Sequence, residues 1–253
     1  MAFQRNLSPG ESDLASMLLP AIFWSTLAFH VFSYILVQIV RTHLSIDEES
    51  ARAFWQFLLE PEHPAFMARS GYTELLIGWL CFLHFKSKGL ESDVLQPGRA
   101  GATSIVLTIA GTFFIPDIIL SVVVGIYSSL TGNPPVIWEN GSTGLFPQSQ
   151  LFGFFLVGIM IAPVIEEFLF RGAFMSTALA RGLNPTIVVI ISSLGFALLH
   201  PQYTLFGLAI IFFLGVGLGA IRLWSGGLVL PIIAHATVNV KAFLASLALA
   251  GAN

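Results

Sequence analysis

Residues 151–179 read LFGFFLVGIMIAPVIEEFLFRGAFMSTAL. An apolar run of this length is long enough to cross the roughly 30 Å hydrocarbon core of a bilayer as a helix. Yet it contains Glu166, Glu167 and Arg171 within six positions, three residues after Pro163. Ionisable groups inside a span are costly and mark function by default. The stretch therefore reads as a transmembrane helix that carries chemistry.

The rest of the chain fits that reading. Only 10% of the 253 residues are charged, 55% are apolar, and phenylalanine alone occupies 23 positions. Soluble domains average about 25% charged residues. Mean hydropathy is +0.83. Further apolar runs cover about 15–40, 102–130, 185–199, 205–224 and 228–247. Backbone polar groups cannot stay unpaired in lipid, and the alternation of a membrane barrel is absent. The predicted fold is all-α: a polytopic membrane helical bundle of six to eight transmembrane helices. The count depends on 72–85, which is short and holds Glu74, and on whether Pro116 splits the 102–130 run.

With 11 basic and 14 acidic residues, the chain has no basic surface for nucleic acid. Cys81 is the single cysteine, which excludes intrachain disulfides and cysteine clusters. Whether six or seven runs cross, the positive-inside rule puts Arg181 and Arg222 on the cytoplasmic side and the segment 131–150, free of Lys and Arg, outside. The expected location is the cytoplasmic membrane of a prokaryote.

Ser45 and Glu48 have capping-box spacing, and Pro61 closes the segment. About 45–60 reads as an amphipathic helix, either at the membrane surface or as a lid on helix ends. Asn140-Gly141-Ser142 matches a glycosylation sequon that matters only in a eukaryotic secretory setting.

Within the 151–179 run, Glu167 and Arg171 are four apart and share a face, so they pair. Glu166 lies about 100° around the axis and keeps no partner in its own helix. His200 stands at the end of the next run. His235 and Asn239, again four apart, lie near mid-bilayer in the last run. A carboxylate base, two imidazoles and an amide donor make up the inventory of a hydrolytic site. Ser192 and Ser193 lack a nucleophile-elbow setting and read as packing residues. Gly215, Gly217 and Gly219 read as permitting close helix contact. Asp117 either lines a cavity or caps a broken helix.

Three patterns now stand in order: Glu166-Glu167-Phe-Leu-Phe-Arg171, Phe196-Ala-Leu-Leu-His200 and His235-Ala-Thr-Val-Asn239. Together they resemble the CPBP family of intramembrane proteases, which includes type II CAAX prenyl endopeptidases and bacteriocin-processing or self-immunity proteins. The resemblance covers about Gln148 to Ala245. It divides the chain into N-terminal membrane helices, 1–146, and a protease-like core, 147–245. It implies an endopeptidase acting on a membrane-anchored or lipidated protein or peptide, with Glu166 and His200 activating water and His235 and Asn239 forming the oxyanion site. Glu167, Arg171 and Phe196 would support that site. No metal or other cofactor is expected. Zinc on the two histidines and a carboxylate is the alternative, disfavoured because an amide is a poor zinc ligand. The rival functional classes are a non-catalytic scaffold or self-immunity protein of the same family, and a proton-coupled transporter. The last would show inverted repeats, and the sequence has none.

Overall fold

The computed structural model describes residues 9–28, 49, 64–138 and 146–250. The amphipathic segment 45–60, the latter part of the first apolar run and the sequon at Asn140 lie outside the described residues. Every regular element among the described residues is helical: α1 (Pro9–Ser16), α2 (Leu18–Ile22, continued by a π-helical turn Phe23–Leu27), α3 (Pro64–Lys86), the short α4 (Glu91–Val94), α5 (Ala102–Thr131), α6 (Gln148–Ala180), α7 (Pro185–Leu198), α8 (Leu205–Ser225) and α9 (Val229–Ala250). The chain is an all-α polytopic membrane bundle. Helices α5, α6, α8 and α9 are long and apolar enough to span, and α7 is a shorter apolar helix.

The helix ends follow local chemistry. Asn184 caps α7, its side-chain oxygen accepting from the Thr186 and Ile187 amides, and Pro185 occupies the first turn, where no N–H is needed. The Thr204 hydroxyl caps α8 by accepting from Gly207 N. Gly226 ends α8 with φ 73°, a left-handed conformation that glycine adopts without a Cβ penalty. Pro116 does not split the 102–131 helix, which runs unbroken through it. The doubtful 72–85 run lies inside the 23-residue α3, which starts at Pro64.

The core gathers around the middle of α6. Phe168, Leu169, Phe170 and Ala173 pack with Ile77, Cys81 and Phe85 of α3, Val94 of α4, Met17 and Ala21 of the N-terminal helices, and Phe196 of α7. Cys81 is fully buried there. Helices α7 and α8 form a tight antiparallel pair in which a Cβ on Gly215 would meet Ser193, and one on Gly219 would meet Val189, both at 3.0 Å. Gly217 faces open space, so only two of the three expected glycines serve that contact. Ser193 donates to its own helix at Val189 O (2.7 Å), which satisfies the hydroxyl as the packing reading expected.

Under the positive-inside rule, Arg222 counts as a charge outside the spans. It is instead buried within α8, with Nε donating to Arg171 O (3.1 Å) and Nη2 to Ser176 Oγ (3.2 Å). Helix α5 lies at the periphery against α9, and the side chains of Val106, Leu107, Ile118 and Ile119 are exposed, as befits a lipid-facing helix. Asp117 projects from its middle to pair with Lys241 of α9. Its role is thus an interhelical tie, neither a cap nor a cavity wall.

Candidate active site

Helix α6 is not a uniform α-helix. Residues Phe155–Ile161 and Phe168–Phe174 are wound as π-helix, on either side of the α-helical Ala162–Glu167. Such wide turns are common at functional sites. Here the cause is legible. The Ala162 amide donates back to Val157 O, and Pro163 has no N–H to offer. The Gly158 carbonyl is left without a helical donor. Asn239 of α9 supplies one: its Nδ2 donates to Gly158 O at 2.6 Å. Asn239 thus joins α9 to α6 about two turns before Glu166 and has one further amide hydrogen.

The Glu167–Arg171 pair forms as the four-residue spacing predicts. Arg171 Nη1 donates to Glu167 Oε1 at 3.0 Å, with both side chains 0% exposed. Arg171 Nη2 reaches across to Gly215 O of α8 (2.9 Å), and the guanidinium lies 4.8 Å from the Phe196 ring centre. Glu167 Oε1 also meets His235 Nδ1 at 3.1 Å. A carboxylate accepts, so His235 carries its proton on Nδ1 and turns Nε2 towards Glu166. That nitrogen stands 3.8 Å from Glu166 Oε2, inside ion-pair range but too far for a hydrogen bond. The Glu166 side chain is 18% exposed, and its Oε2 has no hydrogen-bond partner among the described residues. Glu167 ties the helices together through Oε1, while its Oε2, like that of Glu166, has no hydrogen-bond partner among the described residues. Glu166 makes only the longer approach to His235.

Phe196, 1% exposed, is the hub between the two imidazoles. Its ring lies 5.0 Å from that of His200 and 5.6 Å from that of His235, the latter edge to face. The difference in depth between the two histidines along their helices is thus bridged by an aromatic ring. His200 falls just past the end of α7. Its Nδ1 donates to Phe196 O at 2.9 Å, which leaves Nε2 as the acceptor in the neutral ring. Burial pushes the imidazole down from 6.5 to about 4, with the Phe196 hydrogen bond opposing in part. His200 is therefore neutral at physiological pH.

That depression has a consequence for stability. Between pH 6.5 and about 4 the unfolded chain binds a proton at His200 and the folded chain does not. Stability is therefore lost as pH falls through this window, by up to about 1.4 kcal/mol per unit. The melting temperature in detergent should drop less steeply over that range in His200→Ala than in the unmodified protein. Equal slopes would count against it.

Two groups near Glu166 were not expected from the sequence. Glu74 of α3 acts on it electrostatically. Gly71 and Gly78 bring α3 close to Val157 and Ile165 of α6, and Glu74 lies on that same face, bonded by Ser70 Oγ at 3.4 Å with Oε2 buried. The signal was present, since an acid inside an apolar run is costly; its partner helix was not. The second is Tyr203, whose ring centre lies 6.0 Å from that of His200. Nothing in its sequence context marks it.

Glu166, Glu167, Arg171, Phe196, His200 and His235 are thus linked across α6, α7 with its C-terminal end, and α9, while Asn239, one turn beyond His235, is bonded to Gly158 O. Both Nδ1 atoms of the histidines face oxygen acceptors. Among the described residues no three His, Cys, Asp or Glu side chains come together as a metal-binding group.

Residues 148–241 match the family model described as Rce1-like: Type II CAAX prenyl endopeptidase Rce1-like. No curated protein and no solved structure matches the chain.

Proposed function

We propose, from the match of residues 148–241 to the family model described as Rce1-like: Type II CAAX prenyl endopeptidase Rce1-like, that this integral membrane protein is an endopeptidase. It hydrolyses a peptide bond of a membrane-anchored or lipidated protein or peptide with water activated by a glutamate, in the cytoplasmic membrane of a prokaryote. The observation that supports this reading best is the division of labour within one acidic pair. Glu167 Oε1 accepts from both Arg171 and His235, whereas Glu166 makes no hydrogen bond among the described residues and approaches only His235 Nε2, at 3.8 Å; the Oε2 atom of each carboxylate is unpartnered among them.

In this mechanism Glu166, with the lone pair of His200 Nε2, removes a proton from water. The water oxygen bonds to the scissile carbonyl carbon, and the carbonyl oxygen becomes an oxyanion. The second amide hydrogen of Asn239 donates to it, at the oxyanion site that Asn239 and His235 line. The carbon–nitrogen bond then breaks as the proton held by Glu166 passes to the leaving amine. Glu167, Arg171 and Phe196 touch neither water nor substrate; they hold the imidazoles and helices in place. No step requires a metal.

The test is direct. The purified protein in lipid vesicles is incubated with a farnesylated CAAX peptide, and products are identified by mass spectrometry. Cleavage upstream of the tripeptide is expected, before and after chelation, without stoichiometric zinc by elemental analysis. Absence of cleavage overturns the reading. Asn239→Ala should lower turnover about 10²–10³-fold, the usual loss for one oxyanion donor. Because Asn239 also satisfies Gly158 O, some thermal stability should go with it. Stoichiometric zinc together with an indifferent Asn239→Ala variant would favour a metalloprotease.

A further inference from the structure

The motif residues leave the oxyanion short of donors. His235 donates from Nδ1 to Glu167, so in its neutral form it presents only a lone pair at Nε2. His200 likewise uses its Nδ1 hydrogen on Phe196 O. Asn239 has given one of its two amide hydrogens to Gly158 O. A developing negative charge is typically met by more than one preorganised donor.

Tyr203 stands beside this cluster with a phenol for which no hydrogen-bond partner is seen among the described residues. Its ring is 6.0 Å from His200, and Glu166 acts on it electrostatically. Burial first, and the Glu166 carboxylate second, push its ionisation upward, so the hydroxyl keeps its proton and acts as a donor. The ring is held in place. The Trp138 ring lies against it at 4.0 Å between centres, and residues 138 and 203 form an antiparallel bridge. On the next residue, Thr204 N donates to Ile137 O (3.0 Å) and Thr204 Oγ1 to Val136 O (2.6 Å). The Tyr203 amide donates to His200 O at 3.1 Å, which ties the phenol to the imidazole it faces. Residues 136–138 lie outside the family match at 148–241, so this clamp comes from the N-terminal part of the chain.

We propose that Tyr203 is a catalytic residue whose hydroxyl donates a hydrogen bond to the oxyanion, and that Trp138 is its positioning residue. This rests on the endopeptidase reading above. Tyr203 keeps its proton throughout; it forms no bond and transfers nothing. Tyr203→Phe retains the ring and its stacking on Trp138 and removes only the donor.

The experiment uses the full chain in vesicles with the farnesylated CAAX peptide. Tyr203→Phe is expected to lower kcat about 10²-fold with KM little changed. Trp138→Ala should lower kcat as well, and the double variant should be no worse than Tyr203→Phe alone, because both act through one hydroxyl. A Tyr203→Phe variant with kcat within about twofold of the unmodified protein overturns the proposal. Additive losses in the double variant overturn the role of Trp138. Should Tyr203→Phe fail to fold, 3-fluorotyrosine at position 203 alters the acidity of the donor with the ring retained, and an unchanged kcat then overturns it. Glu166→Gln run in parallel separates the two levels. If Glu166→Gln is inactive and Tyr203→Phe is not, only this inference fails. If Glu166→Gln is fully active, the glutamate mechanism fails and the inference with it.

Discussion

Glu166→Gln is expected to abolish cleavage of the farnesylated peptide, with a loss of about 10²–10⁴-fold in kcat, the range a positioned general base contributes. Glutamine matches glutamate in size and can still touch His235, so packing is conserved and only the capacity to take a proton is removed. The adjacent Glu167 cannot substitute. Its Oε1 accepts from Arg171 and faces His235 Nδ1, and its side chain is fully buried. The fold should survive, because Glu166 Oε2 makes no hydrogen bond that the substitution would break. Cleavage is measured by mass spectrometry and folding by detergent melting temperature. Full activity in the variant would sink the glutamate mechanism and favour a non-catalytic scaffold.

Arg171→Ala is expected to have the opposite profile: a large loss of stability, with loss of activity as a consequence. The guanidinium joins three helices through Glu167 of α6, Gly215 O of α8 and the Phe196 ring of α7. Removing one partner of a buried pair leaves an uncompensated charge, at a cost of about 3–5 kcal/mol. For a chain of this size that corresponds to roughly 6–20 °C in Tm. Arg171→Lys should rescue little, because an ammonium cannot reach the carboxylate, a carbonyl and an aromatic face at once. Glu166→Gln serves as the reference in the same melting assay. Equal melting temperatures for Arg171→Ala and Glu166→Gln would show that the pair is not structural.

Much of this site was legible in the sequence because its logic is local. Four-residue spacing puts Glu167 and Arg171 on one face, and the structure pairs them. The bounds of α5 to α9 fall within about three residues of the apolar runs, because the bilayer sets helix length and every backbone group must be satisfied inside the helix. Polar residues inside those runs were rare enough for three short patterns to stand out.

What escaped the sequence depends on how helices are rotated against one another. Arg222 read as a loop charge because it lies near the end of a run; α8 turns it inward onto Arg171 O and Ser176. Gly217 read like its neighbours, yet it lies on the far side of α8 from Ser193 and Val189. Asn239 read as a free donor, and only the π-helical winding around Pro163 exposes the Gly158 carbonyl that claims one of its hydrogens.

Composition and spacing by themselves determined that this is a helical membrane protein and which polar residues stand inside its apolar runs. Apolar length and helical periodicity are properties of each segment alone. The tertiary structure decided which carboxylate accepts from Arg171 and His235, which histidine nitrogen bears the proton, and that Tyr203 comes to stand beside His200. These follow from distances between helices, and a hydrogen bond discriminates at a few tenths of an ångström, a scale on which one-dimensional periodicity carries no information.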